Sequence, residues 1–281
     1  MNSAGRALSV RRHIVEMAAT AAGTHLGGSL SAADILVALY FDVMRVDPRR
    51  PDRPDRDRFI LSKGHAAAAL YAVLAERGFI EVRELAEYGR AGSRLGSHPT
   101  KGLPGVEFPT GSLGHGLALG TGLALAARRD GRDSRTFVLL GDGELQEGSV
   151  WEAASTAGRL GLDGLVAIVD HNRLQINGST EEYGTREQLS DRWRSFGWQV
   201  RHVPGHDAAE LCRVLSARPD PASQAPTVVI ADTVKGRGIA FMEHHVNSHY
   251  AVLSPRLRKR ALASLERSAR RSGGSEEVTA K

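Results

Sequence analysis

The sequence predicts an α/β fold: a mostly parallel central sheet with helices on both faces. Three observations predict it. Apolar strand candidates alternate with helix candidates along the chain, an order that builds a parallel sheet. The stretch from Val138 to Gly178 reads strand–helix–strand; its first strand ends in Gly141-Asp142-Gly143 and its second, Leu165 to Val169, in Asp170-His171-Asn172. Glycine is abundant, 31 of 281 residues, which suits tight strand-to-helix turns and close backbone approach to a ligand. Right-handed crossovers then carry the strand ends to one edge of the sheet.

The elements follow in order. The N-terminal segment to about Gly23 reads as an amphipathic helix with Leu8, Ile14 and Val15 available for burial. A loop, Thr24 to Gly28, precedes a helix expected over Ala32–Val43, with Ser31 as N-cap and Asp34 at N3. Pro48 to Asp57 is rich in breakers and reads as a surface connection. Arg58–Leu61 is a short strand, Ser62–His65 its exit turn, and Ala66–Arg77 a helix. Gly89 to Gly116 holds eight Gly and three Pro in 28 residues and predicts a long binding loop. Leu117–Arg128 is nearly devoid of polar residues and predicts a buried helix. After the central unit, strands are expected at Trp198–His202 and Thr227–Ala231, with a helix at Ala208–Ser216 between them. Residues 1–254 form the domain, and 255–281 a basic helix running into a disordered end, SGGSEEVTAK.

Bulk properties narrow the function. The one cysteine, Cys212, excludes an intramolecular disulfide and fits a reducing, cytoplasmic setting. No apolar run of eighteen residues predicts a membrane span, and the N-terminus lacks a signal-peptide core. The formal net charge is +5, and residues 255–281 alone carry eight Lys/Arg against three Asp/Glu, the same excess. The remainder is neutral overall, and the basic tail lacks the aromatic residues of a nucleic-acid stacking platform. Nucleic acid is therefore an unfavoured partner.

Chemistry concentrates at the predicted strand ends. There is no P-loop, and Gly111 to Gly116 is out of register with a dinucleotide fingerprint. Gly141 and Gly143 would let backbone approach a phosphate, with Glu144 beside them. The Asp142 carboxylate, the Asn172 amide oxygen and the Leu174 carbonyl would suit a hard cation held together with a diphosphate. Asp142 and Asn172 are thirty positions apart, the separation that places both at the ends of neighbouring strands. His25, His65, His98, His115 and His249 fall in separate loops, and none has zinc-site spacing.

These pieces together resemble the N-terminal, diphosphate-binding part of transketolase. The resemblance rests on AAGTHLGGSLSAADILVALY, DRFILSKGHAAAALYAVLAERG, GSHPT, FPTGSLGHGLALGTGLALA, GDGELQEGSVWEAA with VDHNRLQINGST, and ADTVKGRGIAFMEHHVNSHY, in family order over about residues 8 to 253. It implies the thiamine-diphosphate-binding PP-type fold, with thiamine diphosphate and Mg²⁺ (or Ca²⁺) as cofactors. Asp142, Asn172 and the Leu174 carbonyl resemble the metal ligands. His65, Gly143 and His249 resemble diphosphate contacts, with Gly141, Glu144 and Asn172 in the same cofactor-binding set. Gly111 and Leu113 fall where the family's loop covers the thiazolium. His25 and His98 resemble the residues that bind donor hydroxyls and shift protons; with His65, His249 and Glu147 they make up the implied catalytic set. Glu147 resembles the family's interface glutamate. Imidazoles near neutrality suit proton transfer beside a carbonyl, and the cofactor supplies the carbanion chemistry. Three positions depart from the pattern: His115 for Gln, Lys63 for Asn, and Tyr250 for Gly beside His249.

The resemblance also implies what is missing. The pyrimidine-binding half and its activating glutamate have no counterpart in the sequence, and the family also occurs as two separate subunits. The expected protein is the N-terminal subunit of a split transketolase, working with a C-terminal pyrimidine-domain subunit in an α₂β₂ heterotetramer. It would transfer a two-carbon ketol unit from a ketose, a small molecule, to an aldose. Two alternatives stand beside this: transfer to a lipoyl or carrier-protein thiol, and a catalytically silent regulatory or nucleic-acid-binding paralogue.

Overall fold

Five strands form one wholly parallel sheet in a computed structural model that describes residues 1–218 and 223–276. Their order is β1 (Arg58–Leu61), β2 (Thr136–Gly141), β3 (Leu165–His171), β7 (Thr227–Asp232), β6 (Gln199–Pro204). β4 (Leu174–Gln175) and β5 (Gly178–Ser179) make a small antiparallel hairpin just after β3. Side chains alternate across the sheet with period two. Phe59, Phe137, Leu139, Ile168 and Val229 enter one core, with α1 (Ser3–Ala18), α2 (Leu26–Val37), α3 (Ala67–Arg77) and α7 (Ala208–Ser216). Ile60, Val138, Leu140, Ala167 and Ile230 enter the other, with α4 (Gly116–Arg129), α5 (Gly148–Arg159) and α6 (Arg186–Ser195). Both faces are covered, which is why β2, β3 and most of β7 read as unbroken apolar runs.

Several elements differ from expectation. α1 stops at Ala18, short of Gly23. α2 begins at Leu26 and runs on as a π-turn segment to Val43, so Ser31 is an interior residue and not a cap. Its two early glycines read as a loop, but they are needed for close packing: a Cβ on Gly27 would lie 2.4 Å from the Ser248 hydroxyl. Packing overrides the low helix propensity of glycine there. The stretch Leu26–Val43 is long and apolar enough to span a membrane, yet 83% of it is buried inside the domain, as a core helix would be. α4 is not wholly buried: Ala118, Gly122 and Ala126 lie exposed along one face. α6 was not expected; it starts at a Thr185/Gln188 capping box. β6 lies one to two residues later than expected.

The C-terminal helix α8 (Pro255–Glu276) continues into the segment expected to be disordered. It is not simply solvated: Ala261 and Leu265 are buried, and Arg258 pairs with Glu16 of α1 at 2.7 Å. Residues 277–281 lie outside the described part.

Candidate active site

The carboxyl ends of β1, β2, β3 and β7 carry the functional side chains. Gly141 pairs with Asp170 across β2 and β3, so the turn after Gly141 and the turn after His171 lie side by side. The Asp142 carboxylate reaches between them. It accepts the backbone N–H groups of Gly143 (2.9 Å) and Arg173 (2.5 Å) and the Thr180 hydroxyl (3.1 Å). Asn172 folds back on its own turn, its Oδ1 accepting from the Leu174 N–H at 3.2 Å. Burial, then the nearby Asp170 charge, pushes the Asp142 carboxyl above its usual range. Such a carboxylate gains from a cation beside it.

The Leu174 carbonyl lies in the same turn and accepts from Lys235 Nζ at 2.9 Å. Asp142, Asn172 and Leu174 thus offer one carboxylate, one amide and one carbonyl oxygen. That all-oxygen set fits a hard divalent cation that also binds phosphate oxygens. Among the described residues no group of three or more His, Cys, Asp or Glu could hold a metal ion.

The histidines meet at the same edge. His25, at the start of α2, lies with its ring 5.4 Å from His65, 5.7 Å from His98 and 5.4 Å from His249. His65 and His249 are themselves 5.5 Å apart. Four loops far apart in sequence therefore build one imidazole cluster. His25 Nδ1 is buried and has no hydrogen-bond partner among the described residues. Burial, then the charges of His98, Lys235 and Lys63, brings His25 down to about 4. Burial and Lys235 bring His249 to about 4 as well. Burial lowers His65 strongly and His98 less so. At neutral pH these rings are uncharged and can accept or donate a proton.

Beneath the cluster, Lys63 forms a buried ion pair with Asp170 at 2.5 Å. Ser31 and Thr233 also donate to Asp170, and Lys63 reaches the Gly28 carbonyl at 3.1 Å. Lys235 donates to His249 Nδ1 at 3.2 Å, and burial brings it down to about 8. Asp170 and Lys235 were not among the expected site residues. A charge inside an apolar strand end and a Lys beside a Gly-rich turn were the available signals.

Glu144 is buried behind the Gly-rich loop. Its carboxylate accepts the Ser62 hydroxyl (2.5 Å) and the backbone N–H groups of Gly114 (2.9 Å) and Gly141 (3.0 Å). Ser62 in turn accepts from the Gly116 N–H. Glu144 therefore ties the Gly-rich loop to the sheet edge. Gly111, in that loop, lies against the His98 ring, which a Cβ would approach to 3.2 Å. Leu113 is half-buried nearby in the loop. Glu147 is not part of the imidazole cluster: it is exposed at the start of α5 and abuts Gly114, whose Cβ would lie 2.6 Å from that of Glu147. His115 is exposed and stands at the start of α4.

Residues 2–261 match the family described as transketolase, thiamine diphosphate binding domain. The chain belongs to this transketolase family. It is 45% identical over 242 residues to an apulose-4-phosphate transketolase subunit of Phocaeicola vulgatus, covering 86% of each chain. It is 41% identical over 244 residues to the 6-deoxy-6-sulfo-D-fructose transketolase subunit SqwG of Clostridium sp., covering 86% of this chain and 88% of that one. Transketolase from Campylobacter jejuni superposes with a TM-score of 0.85 at 30% identity over 99% of this chain. The chain spans 48% of that protein's length. This transketolase thiamine diphosphate binding domain presents the Asp142–Asn172 turns and the histidine cluster at one sheet edge.

Proposed function

We propose that this chain is the diphosphate-binding subunit of a two-component transketolase that uses thiamine diphosphate and Mg²⁺ (or Ca²⁺). The enzyme moves a two-carbon ketol unit from a ketose, phosphorylated or free, to an aldose. Convergence of three further imidazoles on His25, beside the Asp142–Asn172 turns, carries this reading.

When bound, the cofactor supplies the nucleophilic carbon and accepts the electrons of the broken bond. The chain's own residues do the rest. Asp142, Asn172 and the Leu174 carbonyl would hold the cation, with Lys235 leaving that carbonyl to face the phosphates. Gly143 and His65 would meet the phosphates. His25 and His98 would bind the donor's hydroxyls, and the neutral His25 and His249 rings can take up and return a proton at the substrate oxygen. Glu144 holds the Gly111–His115 loop as the roof.

The relatives named as transketolase subunits support a separate partner chain. That partner would bring the pyrimidine-binding half, in an α₂β₂ assembly, with Glu147 and the exposed side of α4 in the interface. A lone cysteine in a chain of this family is consistent with a cytoplasmic enzyme. The test is reconstitution with a candidate pyrimidine-domain subunit, thiamine diphosphate and Mg²⁺, followed by assay of ketol transfer from xylulose 5-phosphate and other ketoses. Cofactor binding by the complex that Asp142→Ala leaves unaltered would overturn the reading. Product on a lipoyl or protein thiol, and not on an aldose, would move the acceptor to that class.

A further inference from the structure

Tyr250 is the exposed aromatic of the site. The residue is 47% exposed, yet it is pinned at both ends. Its hydroxyl donates to the Ala22 carbonyl. Its neighbour Ala251 pairs with Thr24 through two backbone hydrogen bonds, of 3.0 and 2.9 Å. Segment 249–251 is thereby clamped to the strand-like stretch that leads into His25. The Tyr250 ring stands edge-on to the His25 ring, 5.1 Å between centroids and 82° between planes. An exposed aromatic normally gains entropy by swinging in solvent; one fixed this way presents a rigid surface at little further ordering cost.

That surface borders the imidazole whose Nδ1 is buried and unpaired. It is uncharged. The two lysines whose charge reaches His25, Lys63 and Lys235, are engaged with Asp170 and with Leu174 and His249. The Tyr250 ring therefore offers a carbon chain an apolar face beside His25.

We infer that Tyr250 is a specificity-determining residue: its ring is the wall that selects among ketose donors by the size and shape of the chain beyond the transferred unit. The inference rests on the transketolase reading above. The experiment uses the assembled two-subunit enzyme and four donors: D-xylulose, D-xylulose 5-phosphate, D-fructose and D-fructose 6-phosphate. Tyr250→Gly shifts the ratio of kcat/KM between the five-carbon and six-carbon phosphates on the order of tenfold, the scale on which one pocket wall discriminates a single carbon. The ratio between phosphorylated and free xylulose stays within about twofold, because the terminal anion is read elsewhere. Tyr250→Phe keeps the ring but loses its Ala22 anchor, and shifts the ratio in the same direction by less than Tyr250→Gly.

Thiamine diphosphate affinity, followed by near-ultraviolet circular dichroism, stays unchanged and shows the variants to be folded; should Tyr250→Gly lose it, Tyr250→Leu takes its place. An equal loss for all four donors, or a change confined to phosphate discrimination, overturns the inference. Wild-type transfer with unmoved ratios sinks this inference alone. No transfer by the wild type from any ketose sinks the transketolase reading, and the inference with it.

Discussion

Lys63 Nζ and Asp170 Oδ2 lie 2.5 Å apart, with side chains only 1% and 0% exposed. The pair joins the turn after β1 to the end of β3. Ser31 of α2 and Thr233 after β7 bond the same carboxylate, so one buried charge ties four elements of the site edge together. Burial alone would raise the Asp170 carboxyl; Lys63 and the hydroxyl donors outweigh it and hold it below the usual range.

Removing one partner of a buried pair strands the other charge, at a cost of about 3–5 kcal/mol. Lys63→Met is expected to lower the urea-unfolding free energy by that order. A loss below about 1 kcal/mol would mean that Asp170 is readily neutralised in the fold.

Asp142 is a carboxylate raised by burial and by Asp170. A divalent cation relieves both. Asp142→Asn is therefore expected to weaken Mg²⁺-dependent thiamine diphosphate binding on the order of tenfold or more. Titration calorimetry of the two-subunit complex, with Mg²⁺ and with a chelator, measures it. An equal loss in chelator would remove the metal from the explanation.

Glu144 is acceptor-only toward three donors. In Glu144→Gln the amide N–H₂ replaces one oxygen and faces a donor. The expected cost is about 1–3 kcal/mol, with faster hydrogen exchange at Gly111 to Gly116. Exchange that rises everywhere equally would indicate general destabilisation and not release of this loop.

The acid side of the stability profile is set by the cluster. His25 and His249 are held at about 4, below the ordinary 6.5 of a histidine. Below 6.5 the unfolded chain binds protons that the folded chain refuses. Stability is thus complete above about 6.5 and falls as pH drops toward 4. With both rings partly exposed, the loss is on the order of 1–2 kcal/mol. Urea midpoints from pH 7 to 4 test it, and His25→Gln should flatten the slope. A profile that His25→Gln leaves unaltered would assign the slope to other groups.

Much of this was legible in the chain. Strands β2, β3 and β7 are apolar on both faces because helices cover both, so their runs are unmistakable. The thirty-position spacing of Asp142 and Asn172 is one strand–helix–strand repeat, and it placed both at one edge. The boundary of α2 was not legible, because Gly27 and Gly28 signal a loop locally and a tight helix contact only in three dimensions. The exposed side of α4 escaped for a related reason: an all-apolar helix gives no contrast between faces.

The sequence by itself determined the fold class, the family and the residue types at the strand ends, since local pattern and spacing along one chain carry those. The tertiary structure decided which of these residues share a surface. It set His65, His98 and His249 around His25, tied Glu144 to the Gly-rich loop, and buried Lys63 against Asp170. Those pairings span tens to more than two hundred residues. They exist only once loop closure and burial have brought the strand ends to one edge, and no local signal encodes them.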